Sequence, residues 1–267
     1  MYKTVLVPLD RSELAEAALS PAATFARRFG AKVDLLVSSP VDLDTEEHER
    51  YLEKVAVRLD APIGKLEVLV GDSAATTIVD ALRSRPDALL CMSTHGRSGL
   101  SQAVLGSITE AVVRDAGVPV LLVGPEVPKD LTPSFEAIQL CLDGSEPAGQ
   151  LIPFAAEWAI ALGAQLWLVE AQSPDNQMAA GQDIVESGYL AVEGERLRKQ
   201  GIDAEWEVLH SKDASNALVR FQEQQPVSLI MIATHGRTGL RRMAFGSVAM
   251  QVTRHAKSPV LIYHPIT

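Results

Sequence analysis

The chain alternates between two hydrophobic patterns. Short runs such as Thr4-Val5-Leu6-Val7-Pro8-Leu9 and Ala137-Ile138-Gln139-Leu140-Cys141-Leu142 are apolar at nearly every position. A half-exposed strand would alternate apolar and polar side chains, so these runs suit strands covered on both faces. The pattern predicts strands at residues 4–9, 32–37, 65–70, 88–92 and 118–123, and again at 137–142, 165–169, 204–209, 229–232 and 259–263. Between them lie stretches with apolar residues at helical spacing. Alanine-rich helices start near Ser12 and Ser145, both able to cap, and end at Gly30 and Gly163, both suited to a left-handed C-terminal residue. Pro21 and Pro153 fall inside these stretches and predict a kink or a late start. Charged amphipathic helices are expected at 45–59 and 182–200. Further helices at 74–84 and 214–224 stop before Pro86 and Pro226, because the residue before proline disfavours the helical region. The last helices begin at Ser107 and Ser247.

The two series are one series repeated. Asp10, Gly30 and Ala31 match Asp143, Gly163 and Ala164 at an offset of 133, whereas Pro86, His95, Gly106 and Pro119 match Pro226, His235, Gly246 and Pro259 at 140. The extra residues belong between these landmarks, around 173–181. Strands alternating with helices imply right-handed crossovers and a parallel sheet with helices on both faces. The fold class expected is therefore α/β, with domains at 1–126 and 135–267 joined by a linker at 127–134, within a stretch from Gly124 to Ser134 that holds three prolines.

Charge changes the picture by exclusion. The net charge of −10 divides equally between residues 1–133 and 134–267, which argues against nucleic acid or an anionic membrane as partner. Cys91 and Cys141 both sit in strand-like apolar runs, so buried free thiols and a reducing compartment are expected rather than a disulfide or metal pair. No charged leader with an apolar core opens the sequence and no apolar run approaches membrane-spanning length. A cytoplasmic location follows as an expectation.

Candidate chemistry collects in a repeated loop. Residues 93–107 read Ser-Thr-His-Gly-Arg-Ser-Gly-Leu-Ser-Gln-Ala-Val-Leu-Gly-Ser, and residues 233–247 read Ala-Thr-His-Gly-Arg-Thr-Gly-Leu-Arg-Arg-Met-Ala-Phe-Gly-Ser. A strand, a glycine-bearing loop and a helix start present backbone N–H groups and a positive dipole end to an anion. In each half an aspartate, Asp10 or Asp143, ends the first strand at the same carboxyl edge of the sheet, where open α/β sheets bind ligands. No P-loop, no G-x-G-x-x-G after the first strand and no cluster with metal-ligand spacing occurs. No residue is assigned a catalytic role.

With the loop and the aspartate together, the sequence resembles the universal stress proteins of the UspA type, once per half. Their nucleotide-binding members carry G-x-x-G-x9-G-[ST] after the fourth strand and proline-x-aspartate at the end of the first. The resemblance implies two Rossmann-like domains, each with a five-stranded parallel sheet of order 3-2-1-4-5. It also implies binding of ATP, ADP or AMP, with magnesium as an accompanying ion. Domain pairing through the last strand is implied too, as a pseudo-dimer within the chain or a homodimer. In the first half Pro8, Asp10, Met92, Gly96, Gly106, Ser107 and Thr109 match, with Ser93 where the first glycine stands. Val37, His95, Arg97 and Ile108 complete the ligand-binding set that the resemblance implies there. In the second half Asp143, Gly236, Gly246 and Ser247 match, joined by Arg237. Cys141, Ile232, Ala233 and Ala249 depart from the pattern.

The motif thus favours the first half, while the arginines Arg237, Arg241 and Arg242 favour the second; long arginines on a loop equally lie in solvent, so the motif decides. Plainer readings stand beside these. Ser107 with Glu110 makes a capping box. Asp10 and Asp143 suit bonds to the backbone two residues on. His95 and His235 suit loop anchoring or a surface position rather than catalysis. Three functions remain: a nucleotide-binding regulator of the stress response, an interaction scaffold with vestigial sites, and a slow ATP hydrolase.

Overall fold

The computed structural model describes residues 2–40, 45–96, 105–173, 188–234 and 245–263. The chain divides into two compact units, Met1–Pro133 and Ser134–Thr267. In the first, β1 (Thr4–Leu9), β2 (Lys32–Ser39), β3 (Ile63–Val70), β4 (Ala88–Ser93) and β5 (Val120–Val123) form a sheet of order β3-β2-β1-β4-β5. All four pairings within it are parallel. In the second, β6 (Ala137–Leu142), β7 (Gln165–Gln172), β8 (Ala204–His210), β9 (Leu229–Ala233) and β10 (Val260–Tyr263) repeat the order as β8-β7-β6-β9-β10, again with parallel pairs. Both sheets have the predicted order 3-2-1-4-5.

Helices follow the predicted rhythm: α1 (Glu13–Glu16), α2 (Leu19–Phe29), α3 (Thr45–Arg58), α4 (Ala74–Arg83) and α5 (Ser107–Ala116) in the first unit. The second has α6 (Glu146–Gly149), α7 (Leu151–Leu162), α8 (Gly188–Lys199), α9 (Ala214–Gln224) and α10 (Ser247–His255). The proline positions resolve as late starts. Each alanine-rich stretch opens with a four-residue turn capped by Ser12 or Ser145, and a new helix then begins with proline at its third residue. Proline fits there because the first-turn N–H groups have no intrahelical partner to lose. Gly30 and Gly163 close these helices at φ of 65° and 64°, a backbone that a side chain would strain.

β1 and β6 run through the middle of their sheets, and Val5, Leu6, Val7, Ile138, Gln139 and Leu140 are fully or almost fully buried. β3 and β8 lie at the outside of their own sheets and keep polar, partly exposed residues. The inserted residues expected at 173–181 fall almost wholly outside the described segments, as do 182–187 of the predicted acidic helix. The linker is less free than its composition suggested. Val127 is buried, Ser20 Oγ donates to Leu131 O at 2.7 Å, and Lys129 pairs with Glu13 at 2.9 Å, all within the first unit. Among the described residues no helix is long and apolar enough to cross a membrane.

One contrast between the units was not legible in the pattern. In the first, Asp34 on β2 is only 5% exposed. It accepts from Lys65 N at 2.8 Å and pairs with Arg85 at 3.1 Å, and Arg85 also reaches Glu67. Repeat-related positions in the second unit carry Trp167 and Gln225, and Trp167 packs edge-on against Phe221 with centroids 5.4 Å apart. An ion cluster thus ties β3 and the end of α4 to β2 in the first unit, and an aromatic pair ties α9 to β7 in the second. Removing one member of a buried pair leaves an uncompensated charge. Arg85→Ala is therefore expected to destabilise the first unit by about 3 kcal/mol. Asp34→Leu combined with Arg85→Met should cost less than Arg85→Ala alone, as read by urea unfolding.

Candidate functional site

The site is built on the strand ends. Asp10 follows β1, and its Oδ1 accepts from Ser12 N at 3.0 Å and Ser12 Oγ at 2.6 Å. Asp143 follows β6 and is held in the same way by Ser145, at 3.0 and 2.5 Å. The turn that allows this needs a left-handed residue between aspartate and serine. Gly144 supplies it at φ 73°, whereas the first unit uses Arg11 at φ 70°, its guanidinium bonded to Glu47 on α3. The local-turn reading of both aspartates therefore holds for one carboxylate oxygen. The other oxygen of Asp10 faces the loop: a Cβ on Gly96 would lie 2.2 Å from Asp10 Oδ2. Glycine at 96 lets the loop backbone close over the aspartate.

The far end of the loop returns to the same place. Gly106 N donates to Thr94 O at 3.1 Å, and Thr94 N continues the ladder of the sheet to Val123 O at 3.0 Å. In the second unit Gly246 N donates to Thr234 O and Thr234 N to Tyr263 O. Thr94 and Thr234 are both buried. Sequence reasoning passed over them, although the Thr-His pair repeated at 94–95 and 234–235 was the available signal. His95 Nδ1 lies 2.8 Å from Oγ1 of the adjacent Thr94.

The capping box expected at Ser107 and Glu110 is not formed. Gly106 is the N-cap of α5, with no side-chain hydrogen bond at the cap, and Ser107 is the exposed first helical residue. Gly246 caps α10 in the same manner. Both helices thus begin at a glycine with no side chain to cap the first-turn N–H groups, and such a helix start favours an anion. Thr109 is buried, and its Oγ1 donates to Thr94 O at 3.3 Å, clamping the loop end to the helix. Ala249 at the related position has no such hydroxyl.

Of the predicted site residues, Asp10, Ser93, His95, Gly96, Gly106, Ser107 and Thr109 gather around the end of β4 and the start of α5. Pro8 on β1 pairs with Leu36 and Leu9 with Val37, placing Val37 at the neighbouring strand end. Met92 is buried on β4, and Ile108 is 44% exposed on the first turn of α5. Arg97, Gly236 and Arg237, with His235, Arg241 and Arg242, lie outside the described residues. In the second unit Asp143, Gly246 and Ser247 border a cleft of about 270 Å³. Its walls include Cys141, Ala148, Ala171, Ala214, Leu218, Thr234 and Ala249. Most of these were not singled out in the sequence, because an alanine in a helix or strand carries no signal of facing a cavity.

Both cysteines are buried free thiols, as expected. Burial pushes the Cys141 thiol up to about 12, offset in part by the Gln139 amide, and raises Cys91 as well. A thiol whose pKa is raised stays protonated below that value and is a poor nucleophile. Iodoacetamide at pH 8 is expected to leave both cysteines of the folded chain unmodified and to label both in urea, read by intact mass.

A doubly wound parallel sheet in two copies, each with an aspartate and a loop-to-helix start at its carboxyl edge, defines a Rossmann-like α/β protein. The model of the universal stress protein family matches residues 1–124 and 134–264, and the chain belongs to that family. A universal stress protein of Mycobacterium tuberculosis is 26% identical over 219 residues, covering 79% of this chain and 72% of that one. Another, from Methanocaldococcus jannaschii, is 30% identical over 141 residues, covering 46% of this chain and 82% of its own length. The crystal structure of a universal stress protein from Archaeoglobus fulgidus superposes with a TM-score of 0.76 at 20% identity, covering 99% of both chains.

Proposed function

We propose that this chain is a cytoplasmic regulatory universal stress protein that binds an adenine nucleotide, ATP or a relative, in its first unit. The observation that supports the reading most is the closure of the loop at one sheet edge: Gly96 packs on the Asp10 carboxylate while Gly106 N is tied to Thr94 O. That closure sets a carboxylate, a glycine backbone and the uncapped start of α5 side by side. On this reading the α5 N–H groups and the Ser107 hydroxyl hold phosphate oxygens, and Asp10 accepts from ribose hydroxyls. The buried strand ends around Val37 and Met92 give the base an apolar seat.

The net negative charge of the unit makes backbone N–H groups the main counterweight to phosphate. A magnesium ion accompanying the nucleotide would offset phosphate charge and would take phosphate oxygens and water as ligands. A second reading, an interaction scaffold with vestigial sites, draws on Ser93 and Ala233, which stand where the nucleotide-binding pattern has glycine.

Nucleotide present at a hundredfold excess over its Kd is expected to stabilise the first unit by about 2.7 kcal/mol. Scanning calorimetry of the full chain with ATP, ADP and AMP reads this. Asp10→Ala should weaken ATP about tenfold by titration calorimetry, the loss of a charge-assisted hydrogen bond. No shift with any of the three nucleotides would rule the reading out.

A further inference from the structure

The outer edge of β3 is an open strand whose charges complement themselves. β3 pairs with β2 on one side, and among the described residues no strand pairs on the other. Gly71 N donates to Ser39 O, and Lys65 N to the Asp34 carboxylate on β2. Main-chain groups alternate in direction along a strand, so those of Leu66, Val68 and Val70 point away from β2 to the free edge. An edge of this kind is a template for another strand unless side chains prevent it.

Side chains here select a partner instead. Lys65 and Glu67 share one face of the strand and border, with Leu69, a groove of about 680 Å³ beside α4. Leu66 between them is 38% exposed. When two β3 strands run antiparallel about a two-fold axis at Leu66, that leucine meets its own copy and each Lys65 stands opposite the partner's Glu67. Leu66 then occupies the hydrogen-bonded position, and the Lys65–Glu67 pairs occupy the non-hydrogen-bonded positions, where side chains come closest. Centring the pair one residue away sets Glu67 against Glu67 or Lys65 against Lys65, so charge fixes the register. Within one chain Lys65 Nζ is 3.9 Å from Glu67 Oε1 with its side chain 67% exposed, which leaves it room to turn, while Arg85 holds the Glu67 carboxylate in place.

The second unit lacks this complementarity. At an offset of 140, β8 carries Glu205, Trp206 and Glu207 where β3 has Lys65, Leu66 and Glu67. The same pairing there sets Glu205 against Glu207, and Trp206 is already covered by the Arg198 guanidinium at 4.6 Å. The outer strand of one unit thus repels its own copy, and that of the other accepts it. We propose that the chain forms a homodimer by antiparallel pairing of β3 with β3 of a second copy, centred on Leu66 and selected by reciprocal Lys65–Glu67 ion pairs. This contact lies at the opposite end of the first unit's sheet from β5, and is therefore separate from any pairing through the last strand.

One strand pair is a small interface of the weakly associating kind. Sedimentation of the full chain at submillimolar concentration and low salt is expected to show a monomer–dimer equilibrium that added salt weakens. Lys65→Glu, which installs the residue found in the second unit, should weaken the dimer about tenfold by turning both ion pairs into like-charge contacts. Added salt should then strengthen what association remains. Leu66→Cys reads the register. The two Cα atoms stand about 5.5 Å apart in a hydrogen-bonded antiparallel pair, within reach of a disulfide, so mild oxidation should link two chains covalently. The native Cys91 and Cys141 are buried and do not compete. Val70→Cys, on the same strand and 54% exposed, lies opposite residue 62 in this register and should link far more slowly.

The proposal is overturned if the chain stays monomeric throughout that range, if Lys65→Glu leaves the dimer at full strength, or if Val70→Cys links as fast as Leu66→Cys. A dimer that forms no link at Leu66 has its contact elsewhere and overturns it as well. An unchanged urea midpoint in Lys65→Glu shows that its weaker association is not a loss of fold.

Discussion

The site depends on one hydrogen bond in each unit, from the N–H of the glycine that opens the last helix to the carbonyl of the threonine that ends the fourth strand. Thr94 is held on its other side by Val123 and Thr234 by Tyr263, so the threonine is in effect the last rung of the sheet. Tying Gly106 or Gly246 to it brings the start of the helix back to the sheet edge whatever the residues between do. This is why a long loop is compatible with a site of fixed geometry: its ends are specified and its middle need not be. Glycine also suits this junction sterically, since a Cβ on Gly106 would press on Thr94 O at 3.0 Å.

The same constraint separates the two units. In the first, Thr109 adds a buried hydroxyl that bonds the Thr94 carbonyl, and Gly96 closes over Asp10, so the junction is held at three points. In the second, Ala249 removes one of these, and its small side chain becomes part of a cleft wall. The exchange is coherent: a hydroxyl that clamps the loop occupies space, and its absence leaves room. With Cys141 in place of Pro8, the second unit also carries a thiol in that wall. Two copies of one fold have thus come to differ in the shape and polarity of the same edge.

Much of the fold was legible because its strands are covered on both faces and read as unbroken apolar runs. The first strand of each unit matches its predicted range, residue for residue. Chain turns were legible where one residue type has one use, as at Gly30, Gly163 and the prolines that mark late helix starts. The Asp34, Arg85 and Glu67 cluster was not, because three residues from separate segments look like a strand interruption, a helix end and an edge charge until tertiary structure assembles them. For the site, the aspartates and glycines were found through their spacing. The capping box at Ser107 failed because Gly106 had already taken the cap position, a matter of one residue that spacing does not settle.

Gln139 shows the limit from the other side. In the sequence it is one polar residue inside an apolar run, and an apolar run tolerates one such interruption at an edge or a face. Only the sheet order puts it on a central strand, and only the helix packed above it supplies Leu218 O as the single strong acceptor for its amide. A leucine would fill that place without leaving a polar atom unpaired, as the first unit demonstrates with Leu6. A buried carbonyl with no donor among the described residues costs stability, so the second unit carries at Gln139 a cost that the first unit avoids with Leu6.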